Sequence, residues 1–159
     1  MPFTPFHLGP GFAVGMLFKK HINLASILLA SVIVDIRAIY CLFIGDCMLH
    51  GPLHTFLGGT ILAIFVSLLI YALKNPLMIM TDFLKIKQNY SSKSIIIGAL
   101  IGTWMHLLLD AFLYSEMVNV WPIQGNCLFG ILNSFVVYNF CIVCFVVGFV
   151  VWVAENIRK

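Results

Sequence analysis

The residues in this sequence that could do chemistry are few, and they are mostly histidines and aspartates set among apolar neighbours. His106 and Asp110 stand four apart, so on a helix they share one face and can either bond to each other or reach a common ion. His50 and His54 have the same spacing, but Gly51-Pro52 lies between them and a helix is expected to begin there. As a pair they could simply cap that helix at the membrane interface. Asp35 interrupts an apolar run, with Arg37 two residues on; on a helix the two diverge by about 200°. His7 follows close on the N-terminus, and His21, beside Lys19-Lys20, receives no role.

Imidazole and carboxylate together suit a divalent ion such as zinc, and several of them can converge from different helices of one bundle. Such a site with an open position brings the pKa of bound water toward neutrality. No Ser/His/Asp or Cys/His arrangement of comparable strength competes with it. The candidate ligands are therefore His7, Asp35, His50, His54, His106 and Asp110. Glu116, just beyond Asp110, is a candidate general base, and Arg37 a candidate contact for an anion.

The elements that must position these groups follow from composition. Of 159 residues, 62% are hydrophobic and 9% charged, with a mean hydropathy of +1.05. A soluble domain carries about a quarter charged residues, so the bilayer is the expected solvent. The length suits one helical domain over residues 1–159. A net charge of +3, thinly spread, forms no stripe for nucleic acid. Spanning takes roughly 20 apolar residues. The runs at about 24–45, 53–73, 94–115 and 129–153 meet that length, the third broken only by His106 and Asp110. The fold expected is all-α: an integral membrane bundle of four full transmembrane helices plus a short or re-entrant N-terminal helix, Pro5 to Phe18. Thr4 is placed to cap that helix and Pro5 to open it. The polar stretch 75–93 has room for a short amphipathic helix.

Basic residues set the expected orientation. Lys19-Lys20, Lys74 to Lys93 and Arg158-Lys159 fall on one side when the helices alternate, and the positive-inside rule assigns that side to the cytoplasm. The N-terminus, the 45–52 turn and the 116–128 loop then lie outside, with the His/Asp group in the outer half of the bundle. Met1-Pro2-Phe3-Thr4 lacks the basic start of a cleavable signal, so the spans themselves are expected to direct insertion. The five cysteines are odd in number; Cys141 and Cys144, a CxxC spacing inside an apolar run, read as apolar filler, and Cys47 and Cys127 lie on one side, where a disulfide is permitted.

At these residues the sequence resembles the YdjM-type family of membrane-bound, metal-dependent hydrolases. The matching pieces are Phe6-His7-Leu8, Val34-Asp35-Ile36, His50-Gly51-Pro52-Leu53-His54-Thr55, His106-Leu107-Leu108-Leu109-Asp110 and Trp121-Pro122, in the family's order over roughly residues 6–122. Two departures stand out: Arg37 occupies the place of the family's second acid, and Gly51-Pro52 replaces a basic residue. The resemblance implies metal-dependent hydrolysis. The substrate expected from a site within the bundle is a membrane lipid or lipid-linked ester or phosphoester, in the inner (cytoplasmic) membrane. Two other readings stay open: a small transporter or channel subunit passing protons or metal ions, and an inactive relative with a structural role.

Overall fold

In a computed structural model the described residues are 4–45, 51–118, 120 and 125–157, and among them the regular structure is entirely helical. His50, Cys47, Trp121-Pro122 and Arg158-Lys159 therefore lie outside the described residues. A turn of 3-10 helix, Thr4–His7, leads into α1 (Leu8–Leu17), so the helix proper starts three residues later than Pro5. Then come α2 (Leu24–Ile33) and α3 (Ile36–Ile44), a 3-10 turn at Pro52–His54, and α4 (Phe56–Ala72). The chain ends with α5 (Lys74–Phe83), α6 (Ser92–Leu113) and α7 (Ser134–Ile157).

Three stretches are long and apolar enough to cross a membrane: Leu24–Cys41, Ser92–Leu113 and Ser134–Ile157. The run expected at 53–73 forms α4, of 17 residues, which turns by 77° into α5. Lys74 and Pro76 account for the turn, since a charge is costly in hydrocarbon and proline suits the start of a new helix. Burial differs sharply among the spans. About 56% of the most apolar window of α6 is buried, against 17% for α7, although α7 is the more apolar. Such an apolar, uncovered helix is compatible only with a hydrocarbon surround or a partner.

The helices approach closely where small residues let them. Gly98 and Gly102 of α6 lie against the backbone of α2, so that a Cβ on Gly102 would come 2.5 Å from the Ile27 carbonyl oxygen. Gly9 of α1 rests on the Cys141 carbonyl of α7, and Gly148 of α7 against Phe12 and Ala13. This is the small-residue packing expected where lipid offers no hydrophobic drive for association. One end of the bundle is tied by polar side chains. Asn23, fully buried, caps α2 by accepting from the Ser26 N–H and donates to the Asn89 carbonyl. Gln88 accepts from the Leu24 N–H, Ser91 caps α6, and Lys19 pairs with Glu155 across α1 and α7. The expected 129 start of the last span moves to 134, because Asn133 accepts from the Val136 N–H and begins the helix there.

Candidate metal centre

The site is built at the opposite end of α6. Ser94, Gly98, Gly102, His106 and Asp110 recur every fourth residue and so form one stripe, all buried. The lower three are small and seat α2; the upper two carry imidazole and carboxylate. Thr55 caps α4 by accepting from the Gly58 N–H, which sets His54 immediately before the helix and turned inward, 1% exposed.

Asp35 comes from a break that the apolar run conceals. Rather than following its expected course midway along one helix, it lies between α2 and α3. Its N–H bonds to the Val32 carbonyl, three residues back, instead of to Ser31 as a continuous α-helix would require. The Ser31 carbonyl is thereby released, and the His106 Nδ1–H donates to it at 2.7 Å. A carbonyl can only accept, so this bond assigns the proton to Nδ1 and leaves the Nε2 of neutral His106 as a lone pair.

That nitrogen faces two carboxylates, Asp110 Oδ2 at 3.1 Å and Asp35 Oδ1 at 3.3 Å. It is buried, and neither oxygen has hydrogen-bond direction toward it. His54 Nε2 also stands 3.3 Å from Asp35 Oδ1, and His7 Nε2 3.2 Å from Asp110 Oδ1. The four groups Asp35, His54, His106 and Asp110 each bring one donor atom, all within 4.8 Å of one another.

Two magnitudes distinguish an ion site from a hydrogen-bonded cluster. Charge-assisted N–H···O bonds close to about 2.7–2.9 Å. Donor atoms on zinc, with bonds of about 2.0–2.1 Å at the tetrahedral angle, sit about 3.3 Å apart. The closest separations here, 3.1–3.3 Å, are compatible with the second. Charge is compatible with an ion: two carboxylates, 13% and 4% exposed, stand among three imidazoles in a span. Each such buried charge costs several kcal/mol unless balanced. A divalent cation balances both.

The other expected site residues divide. His7 joins the cluster through Asp110 and lies with its ring 4.3 Å from that of His106, but it is outside the four-donor group. Arg37 is half-buried and forms no ion pair with Asp35 or Asp110 among the described residues; its guanidinium lies directly over Gly51, where a Cβ would collide with it. Gly51 has ordinary extended backbone, so it is this close approach, not its dihedrals, that favours glycine there. Glu116 is exposed, beyond the end of α6, and outside the four-donor group. His50 lies outside the described residues. Cys127 is a free thiol and so does not pair with Cys47, while Cys41 is disulfide-bonded.

Two contributors escape a reading of residue types. Ser31 acts through its carbonyl, for which only the helix break provides. Tyr114, after α6, is half-buried in a cluster with Val34, Leu107 and Met117. Burial pushes its phenol above the ordinary range, the Asp110 carboxylate adding to the effect, so it stays a neutral hydroxyl. Asn126 holds the same end of α6, donating to the Ala111 and Tyr114 carbonyls. Comparison with protein-family models, with curated proteins and with solved structures finds no match to this chain.

Proposed function

We propose that this chain is an integral membrane hydrolase that acts, with a bound divalent ion, on a lipid or lipid-linked ester or phosphoester. The observation that carries the reading is the buried Asp35, His54, His106, Asp110 group with His106 Nε2 aimed between two carboxylates. Its donor set suits zinc first. When bound, the ion would polarise an ester or phosphoryl oxygen and bring a water's pKa toward neutrality. His7 would keep Asp110 in place, Glu116 would serve as general base, and Arg37, in no pair with either site carboxylate, would receive an anionic group. The likeness of five short motifs to the YdjM-type hydrolases supports the same reaction class.

In this reading α4 completes a fourth span, α5 lies along the membrane surface, and α1 enters without crossing. Lys19 and Lys20 stand at the end of the bundle remote from the centre, which supports a centre facing the outer side of the inner membrane.

A transport reading draws on the alternation His7–Asp110–His106–Asp35–His54, in which imidazole and carboxylate follow each other at 3.1–3.3 Å. Below His106, however, the stripe continues as Gly102 and Gly98 packed closely against α2. That seam opposes a path across the membrane.

The test is metal analysis of the purified protein, with and without His106→Ala, beside hydrolysis of a fluorogenic phospholipid ester and phosphodiester. The expected result is near-stoichiometric metal lost in the variant, and hydrolysis abolished by chelator and restored by zinc. Protein free of metal after zinc loading would overturn the site. Bound metal without hydrolysis, but with proton or zinc flux in liposomes, would replace enzyme by transporter.

A further inference from the structure

Two apolar hollows lie along α7, where the N-terminal 3-10 turn and α1 pack against it. The upper, about 280 Å³, is walled by Pro5, Phe6, Cys141, Ile142, Phe145 and Val146. The lower, about 360 Å³, is walled by Phe12, Leu28, Phe149 and Trp152 among others, and Phe145 lines it too. Phe145 packs against Phe12 with ring centroids 5.5 Å apart, so one aromatic pair is the step between the two hollows. Each alone is at or below the small end of ligand pockets, and together they fall within that range.

The seam has defined ends. At the top Phe6, in ring contact with Tyr138, borders the upper hollow, and the next residue is His7, whose Nε2 contacts Asp110. Cys141 lines the same hollow and packs with Leu109, the neighbour of Asp110. At the bottom the Trp152 indole N–H donates to the Leu84 carbonyl, which closes the lower hollow with a satisfied polar group. From Cys141 to Trp152 the seam follows eleven residues of α7, about 16 Å. It is apolar, follows a helix long enough to span a membrane, and begins beside the candidate ligands. At that depth the abundant ligand of that shape is a hydrocarbon chain.

We propose that this seam holds one acyl chain of the lipid whose polar end is presented to the His/Asp centre. The proposal rests on the lipid-hydrolase reading and gives it a substrate class: a lipid recognised by a single chain lying along α7, with the scissile group at the level of His7. The Phe12–Phe145 pair would select for chains able to pass it, so straight saturated chains would be held better than ones kinked at that level.

The test uses the full chain in nanodiscs containing phosphatidylcholine with a photoreactive diazirine midway along one acyl chain. Cross-linked residues are mapped by mass spectrometry, and metal is measured in the same samples. Cross-links are expected at Phe145, Val146 and Phe149 at least fivefold above Val143 and Val150, which are about equally exposed on the same helix but line neither hollow. Val146→Trp, which fills the upper hollow, is expected to remove that excess. Equal labelling of Val143, Val146 and Val150 in the unaltered protein would overturn the proposal, with no variant needed. Seam labelling in protein that binds no metal would leave the chain site standing and remove the metal reading. Metal bound with uniform labelling would do the reverse.

Discussion

The two halves of α6 use one stripe of residues for opposite purposes. Toward its start, Ser94, Gly98 and Gly102 bring the backbone of α2 so close that a single added methyl would meet carbonyl oxygens. Three turns further on, the same face carries His106 and Asp110, and α2 has come apart at Val34–Asp35. The lower half binds two helices by excluding everything between them. The upper half holds its partner by a hydrogen bond from His106 to Ser31 and keeps donor atoms at ion-ligand spacing. A tight seam thus serves as the fixed reference from which a less filled, charged one is measured. Precision in the second depends on rigidity in the first.

The strongest way to break that contrast is His106→Ala. Removing the central donor is expected to lower metal affinity by more than about 100-fold, beyond the 10–100-fold typical of losing a supporting partner. Chelator competition on purified protein reads it, and unchanged affinity would mean that the upper half is only another packing seam. His7→Ala comes next. If His7 supports Asp110 without binding the ion, the loss should be about 10–100-fold with stoichiometry at saturation unchanged; a stoichiometry falling to zero would make it a ligand.

The lower half is probed by Gly102→Ala. Its new Cβ would meet the Ile27 carbonyl oxygen at 2.5 Å and Ala30 Cβ at 2.8 Å, so the helices must part. A cost of about 1–3 kcal/mol is expected, seen as a lower melting temperature in detergent. A stability equal to that of the parent would show that the seam is looser than drawn. The smallest effect is expected from Ser31→Ala, within about 0.5 kcal/mol and with metal affinity unchanged, because the centre uses the Ser31 carbonyl and not its hydroxyl. Among the described residues its hydroxyl donates only to the Leu28 carbonyl. A tenfold loss of affinity in that variant would sharpen the account by giving the hydroxyl a part.

Much of the centre was legible in the chain because polar groups in spans must converge. His54, His106 and Asp110 were expected at one depth, and their carboxylate and imidazole groups meet there. The break at Asp35 was not legible. Residues 24–41 read as one apolar run without glycine or proline, and what opens it is competition for the Ser31 carbonyl by an N–H from 75 residues away. The turn after α4 was half-legible: Lys74 and Pro76 end the apolar run, but whether the next ten residues coil or form α5 depends on packing such as that of Leu77 on the core beside Ile70. The place of Arg37 was open, since a long side chain beside a helix break can turn either way. Its position over Gly51 fits glycine there better than any larger residue.

The break in the second span also bears on how the protein is made. Synthesis proceeds from the N-terminus, so Asp35 enters the membrane before α6 exists. Until His106 arrives, the Asp35 N–H is the natural claimant of the Ser31 carbonyl, and residues 24–41 can cross as an unbroken helix. The break is then a late event, made when α6 docks by its glycines and its imidazole takes that carbonyl. Chains halted before Ser92 should show the Asp35 amide in a regular helical bond, and chains extended past Leu113 should not. The centre would thus come into being only once the last of its helices is in place, which spares the nascent chain a cluster of carboxylates and imidazoles before its walls are built.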